Sequence, residues 1–169
     1  YMKAKNCLIF GGSGQIGRYL IRKLTKNNYK VTVVTRNIHQ KGYVIKTQAN
    51  AGYIEIVEAN IFDETKIRKL FAQTDICINL IGILYESGKG NTFKNIHSIF
   101  PSILAKLCKE YKVQQFIHLS ALGINSAIDS EYAKSKLEGE AKIQKDFPLA
   151  TILRPSVVYS VDDNFTTNF

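Results

Sequence analysis

The sequence predicts an α/β domain, a doubly wound parallel sheet in a three-layer α/β/α arrangement, and three observations carry that expectation. Six short runs rich in Ile and Val alternate with amphipathic stretches of helical period along the 169 residues. Most of these runs are apolar continuously rather than at every second position, the pattern of parallel strands buried on both faces. A glycine cluster, Gly11-Gly12-Ser13-Gly14-Gln15-Ile16-Gly17, joins the first run to the first helical stretch, and open parallel sheets bind ligands beyond the carboxyl ends of their strands.

In chain order, strands are expected at residues 5–10, 30–35, 53–59, 75–81, 115–119 and 150–153. Helices are expected at 15–27, with Ile16, Leu20 and Leu24 on one face, and at 64–72, with Ile67, Leu70 and Phe71. A third covers 92–111 through Ile96, Ile99, Ile103 and Leu107, with Pro101 kinking it or marking its start. The fourth, 131–146, turns Ala133, Leu137 and Ala141 inward. No repeat, low-complexity stretch or Gly/Ser linker divides the chain, so residues 1–169 read as one domain.

Composition narrows the function classes. The chain has 23 basic and 14 acidic side chains, a net charge of +9, 45% hydrophobic residues and three cysteines. The lysines are interleaved with Glu, Asp and Asn, as on solvated helix faces, and form no stripe with aromatic partners, which argues against a nucleic-acid binder. A positive surface still suits a phosphorylated ligand, an anionic membrane face or an acidic protein. Cys7, Cys77 and Cys108 stand apart in apolar surroundings without metal-ligand spacing, and read as core residues in a reducing compartment. No metal site is expected. The apolar runs fall far short of the roughly 20 residues that span a bilayer, so a soluble chain is expected. Tyr1 reads as an added residue ahead of a native Met2, with no room for a signal peptide.

The glycine turn has the chemistry of a pyrophosphate cradle. Glycines permit positive φ, let backbone N–H groups approach the phosphates and let the following helix pack closely, while its amino end attracts anions. Its place after a strand and before a helix, within a βαβ unit, is the context this pattern needs. An NAD-selective site carries Asp or Glu about 20 residues further on. This chain has Thr35-Arg36-Asn37 there. The Arg36 guanidinium suits a 2′-phosphate, and Arg18 adds positive charge, so NADP(H) is preferred and NAD(H) stays the alternative.

Tyr132 and Lys136 stand one helical turn apart in the 131–146 segment. An ammonium beside a phenol, together with an oxidised nicotinamide ring, favours phenolate, so the pair is expected to bring Tyr132 towards useful acid/base range.

With these motifs in place, the sequence resembles the short-chain dehydrogenase/reductase superfamily, in its extended, atypical, epimerase/dehydratase-like branch. The resemblance rests on GGSGQIG, Asn79-Leu80-Ile81-Gly82, Ser120, YAKSK and Leu153-Arg154-Pro155-Ser156 leading to Tyr159. NLIGILYE, FIHLSALG, YAKSKLEGEA and ATILRPSVVYS look closest to bacterial relatives of the NADPH-binding Rossmann accessory subunit of respiratory complex I. The resemblance implies a Rossmann-like fold in which Gly11, Gly14, Gln15, Ile16 and Gly17 hold the pyrophosphate and Arg36 meets the 2′-phosphate. Asn60 and Ile61 would lie by the adenine, with Leu80, Ile81, Gly82 and Pro155 on the ribose and nicotinamide side. Tyr132, Lys136 and Ser120 would be the catalytic group.

The pattern departs in places. Ala121 stands where active members carry Ser or Thr, with Ser120 one residue early; His97 replaces a helix Asn and reads as a locally bonded helix residue; Tyr159-Ser160 replaces Tyr-Gly. The family's smaller substrate-binding region is expected to be largely absent. Three functions stay open: a structural NADP(H) cofactor in respiratory-complex assembly or stability, an active oxidoreductase, epimerase or dehydratase on a sugar nucleotide or other carbonyl or alcohol, and an NADP(H)-sensing regulator. The expected place is the cytoplasm, or the periphery of the inner membrane beside complex I subunits.

Overall fold

The computed structural model describes residues 5–12, 14–36, 42, 45–48, 52–82, 86, 88, 92–120 and 131–154. Its strands are β1 (Asn6–Phe10), β2 (Lys30–Thr35), β3 (Ile54–Glu58), β4 (Ile76–Asn79), β5 (Gln115–Leu119) and β6 (Thr151–Leu153). Its helices are α1 (Gln15–Lys26), α2 (Glu64–Leu70), α3 (Phe100–Glu110) and α4 (Glu131–Asp146). A 3₁₀ turn, Phe71–Gln73, follows α2, and a π-helical turn, Lys94–Ile99, precedes α3.

All pairings are parallel and the strand order is β3-β2-β1-β4-β5-β6. The order reverses between β1 and β4, which opens a crevice beyond their carboxyl ends. Side chains on β1 alternate between two cores, because successive residues of a strand point to opposite faces. Cys7 and Ile9 pack with Leu20, Ile21 and Leu24 of α1. Leu8 and Phe10 pack with Ile67 of α2, Leu104 and Cys108 of α3 and Ile143 of α4. The sheet is thus covered on both sides, as its continuous apolar runs require.

The free thiols of Cys7, Cys77 and Cys108 are buried, and burial pushes those of Cys7 and Cys77 up, which keeps them unreactive. No helix among the described residues is long and apolar enough to cross a membrane.

Two elements differ from the sequence expectation for physical reasons. Strand β4 stops at Asn79 rather than residue 81, because Asn79 Oδ1 accepts a hydrogen bond from the Ile81 N–H at 3.2 Å and turns the chain. The single helix expected over 92–111 is a π turn followed by α3, with Pro101 in the first turn of α3. Proline has no N–H for the carbonyl four residues back, that of His97, and its ring crowds that carbonyl. The N–H of Phe100 instead bonds the Asn95 carbonyl, the wider spacing of a π turn. Ile45, outside every predicted element, is fully buried against α1.

Candidate functional site

The glycine turn leaves β1 at Gly11, whose φ of +83° few other residues adopt. Gly17 answers a packing need, since a Cβ there would stand 2.7 Å from the backbone of Gly12. Gly14 differs from both. It is the N-cap of α1 in extended conformation, and a Cβ on it would meet nothing within 4 Å. Among the described residues no side chain caps this end of α1, and its first turn holds no acid. Uncapped amino-terminal N–H groups, with room around Gly14, fit the pyrophosphate of a dinucleotide. Gln15 is exposed there and Ile16 leans on the core.

The other expected contacts line the same edge. Gly11 N bonds Val34 O on β2, so exposed Arg36, two residues further, stands beside the turn. Asn60 and Ile61 follow β3. The Asn60 side chain accepts from Phe62 N at 2.9 Å, and Ile61 packs on the core. Leu80 N bonds Phe10 O, and Ile81 lies against Gly11. Pro155, Ala121, Tyr159 and Ser160 lie outside the described residues.

Helix α4 brings the polar groups in from the other side. Tyr132, Lys136 and Glu140 recur at successive turns along one face. Lys136 is 5% exposed, and its Nζ lies 3.2 Å from where a Cβ on Gly82 would stand. Burial pulls its ammonium down to about 8, against the opposing pull of Glu140. The Tyr132 hydroxyl is pushed up by desolvation. This is the state of the free protein, in which Lys136 reaches toward Gly82.

Ser120 is engaged by a neighbouring helix. Its hydroxyl donates to Glu140 Oε2 at 2.6 Å, and the Arg154 guanidinium pairs with both oxygens of the same carboxylate. Glu140 lies eight residues beyond Tyr132, about 12 Å along the helix axis. Ser120 therefore ties β5 to α4 and, through Arg154, to the end of β6. The backbone bond from Ser120 N to Leu153 O strengthens the same junction.

Two buried histidines complete the cluster. Asn79 offers its oxygen to Ile81 N, so its amide donates to His118 Nδ1 at 3.1 Å and the proton of His118 sits on Nε2. Among the described residues that Nε2 has no hydrogen-bond partner. His97 Nδ1 lies 3.0 Å from Ser135 Oγ on α4, a partner 38 positions away rather than the local bond expected from the sequence. Burial, and secondarily the Lys136 charge, pushes both imidazoles down to about 3.

Sequence reasoning missed Glu140, Arg154, Gly139 and the Asn79–His118 pair. The spacing of Tyr132, Lys136 and Glu140, and Pro101 four residues after His97, were the available signals.

Residues 7–168 match the NAD dependent epimerase/dehydratase family. Mouse NADH dehydrogenase (ubiquinone) 1 alpha subcomplex subunit 9, mitochondrial, is 29% identical over 161 residues, 95% of this chain and 42% of that protein. The 40 kDa mitochondrial subunit of Neurospora crassa NADH-ubiquinone oxidoreductase is 27% identical over 92% of this chain and 41% of its own length. The chain thus spans less than half of these relatives. Among solved structures, Bordetella bronchiseptica WbmH in complex with NAD+ superposes with a TM-score of 0.75 at 18% identity, over 90% of this chain and 56% of that one. Bacillus cereus UDP-glucuronic acid 4-epimerase in complex with NAD gives 0.71 at 25%, over 88% and 55%. The match along nearly the whole chain agrees with the glycine turn and the 321456 sheet, and the chain belongs to the NAD-dependent epimerase/dehydratase family.

Proposed function

We propose that this chain binds a nicotinamide dinucleotide, NADP(H) in preference to NAD(H), and holds it as a structural cofactor in the assembly or stability of a respiratory complex I-type enzyme. The open amino end of α1 at Gly14 supports binding. Gly11, Gly14, Gln15, Ile16 and Gly17 would hold the pyrophosphate, Arg36 the 2′-phosphate, Asn60 and Ile61 the adenine, and Leu80, Ile81, Gly82 and Pro155 the nicotinamide side. The observation that carries the structural role is Ser120. Its hydroxyl is engaged by Glu140, so no polarising donor from it stands beside Tyr132, and loss of one such donor costs roughly 100- to 1000-fold in rate. The names of the relatives, subunits of NADH dehydrogenase or NADH-ubiquinone oxidoreductase, support respiratory-complex partners; a cytoplasmic place at the periphery of the inner membrane is part of the same proposal.

Calorimetry with NADPH and NADH on wild type and Arg36→Ala tests the cofactor preference. NADPH affinity is expected to fall by about tenfold or more, since a charge-assisted bond is worth roughly 1.5–3 kcal/mol, while NADH affinity stays close to wild type. An equal loss for both would contradict the assignment.

A second reading keeps the chain as an oxidoreductase, epimerase or dehydratase, favoured by Tyr132 and Lys136 on one buried face of α4. When bound, the nicotinamide supplies or accepts hydride. Tyr132 would move the proton at the substrate oxygen and Lys136 would orient the ribose. Turnover of a small carbonyl compound at an ordinary enzymatic rate, roughly 1 s⁻¹ or faster, and lost in Tyr132→Phe, would establish this reading against the structural one.

A further inference from the structure

The net charge of +9 belongs to one part of the molecule. Residues 1–54 hold ten of the 23 basic side chains and none of the 14 acidic ones, and the rest of the chain is close to neutral, with thirteen against fourteen. The interleaving of lysine with Glu and Asp therefore holds only beyond residue 54. Within the charged part, α1 turns Gly17, Leu20, Ile21 and Leu24 into the core, which at 3.6 residues per turn leaves Arg18, Tyr19, Arg22, Lys23 and Lys26 on its outward face. Arg18, Arg22 and Lys26 follow one another at intervals of four, a row of like charges that weakens a helix unless something anionic meets it. None of the ion pairs among the described residues includes a residue of α1. Arg22 Nη1 donates to the neutral Gln48 Oε1 at 3.2 Å, and its guanidinium lies 5.8 Å from the centre of the Tyr19 ring. Ile45 packs in the core under α1, so exposed Lys46 stands beside this face and extends it.

We propose that the outward face of α1, with Lys46 beside it, is an electrostatic docking surface for an anionic lipid bilayer. Charge complementarity selects this partner. One sign of charge on long flexible stems, spread over about 18 Å of helix, suits a plane of anionic headgroups, where each Lys or Arg adds attraction without needing a fixed mate. A protein partner selects differently, because interface centres are poor in lysine and built on apolar or aromatic anchors. Among the described residues the exposed large hydrophobic side chains are Tyr53, Phe62 and Leu149, and none of them is on α1. Single-stranded nucleic acid stacks its bases on exposed aromatic rings, whereas the ring on this face, Tyr19, is half-buried with Arg22 over it. Attachment of this kind reaches the headgroups only, and it is reversible and screened by salt. The inference rests on the preceding reading only for the membrane periphery, to which it assigns a face, and it needs no dinucleotide.

The test is cosedimentation of the full chain with vesicles of phosphatidylcholine alone and of phosphatidylcholine and phosphatidylglycerol in equal amounts. Wild type is expected to bind the second and not the first, and to be released as salt is raised. Combining Arg22→Gln, Lys23→Gln and Lys26→Gln is expected to weaken binding by about 100-fold, with a melting temperature close to that of wild type as the control for folding. Combining Lys106→Gln, Lys109→Gln and Lys145→Gln removes the same charge from exposed positions of α3 and α4, which pack on the other side of the sheet. At about 0.1 M salt that change lies beyond the screening length and is expected to alter binding by less than about threefold. Equal weakening in the two triple variants would show that net charge is read and not this face, and overturns the inference; a wild type that ignores anionic vesicles does so as well. Binding through α1 to polyglutamate or to a DNA duplex but not to the vesicles would assign the face to an acidic protein or a nucleic acid, which also overturns it. NADPH calorimetry on the same samples separates the readings. Vesicle binding without NADPH binding sinks the dinucleotide reading and leaves the docking face standing, and NADPH binding without vesicle binding does the reverse.

Discussion

Replacing Gly139 with alanine is expected to lower the stability of the fold by about 3 kcal/mol or more, the upper range for overpacking. The reason is a single contact. The Cβ would be placed 1.9 Å from the carbonyl oxygen of His97, where no side-chain rearrangement can relieve it because the obstacle is backbone. Helix α4 would have to move off the π turn, taking Ser135 from His97 and Lys136 from Gly82. Alanine's better helix propensity, about 1 kcal/mol over glycine, offsets only part of this. In a domain of this size the melting temperature should drop by about 6–12 °C. Calorimetric unfolding of Gly139→Ala alongside Gly14→Ala, whose Cβ enters open space, makes the comparison. Similar melting temperatures for the two variants would mean that α4 and the π turn are not in this close contact.

Acid is expected to destabilise the protein steeply through His118. Its pKa is about 3 in the fold, against an ordinary value of 6.5, because burial opposes the charged form. Below pH 6.5 the unfolded chain therefore takes up a proton that the folded chain refuses. Stability is lost as pH falls through the window from 6.5 toward 3, at about 1.4 kcal/mol per unit. Between pH 6.5 and 4.5 the His118 contribution is about 2 kcal/mol. Urea unfolding at a series of pH values, on wild type and His118→Gln, isolates it, since the carboxylates contribute equally to both proteins. The variant is expected to be less stable at pH 7 but to lose less on acidification. Parallel pH dependence in the two would show that His118 is protonated in the folded state.

Much of this architecture was legible because it depends on local pattern. β2, β5 and α4 fall on the expected residues, and β1, β3 and α1 differ only at their ends. Continuous apolar runs identify doubly buried strands whatever their partners, and Gly11 and Gly17 lie where positive φ and close packing demand them. What stayed hidden depends on pairing between distant segments. Ser120 reads as a catalytic donor in sequence because nothing local reveals that Glu140, twenty positions later, takes its proton. The Tyr132 and Lys136 spacing puts them on one helix face of α4, but the burial that pushes the Tyr132 hydroxyl up in the free protein is not carried by spacing. The π turn follows from Pro101 opposing the His97 carbonyl, a relation visible in sequence only once the helix register is known.

The central claim is that the amino end of α1 receives the pyrophosphate of a dinucleotide, and Gly14→Asp tests it most directly. Aspartate at this N-cap has room for its side chain and suits the backbone there, φ −75° and ψ 174°. It should therefore keep or raise stability, by about 1 kcal/mol, by capping the first turn. The same carboxylate would occupy the N–H groups and repel phosphate. NADPH calorimetry on wild type and Gly14→Asp, with melting temperature as the control for folding, is expected to show binding to wild type and an affinity loss of about 100-fold or more in the variant, some 2.7 kcal/mol. Equal NADPH affinity in a fully folded Gly14→Asp, or no binding to wild type, would contradict the account.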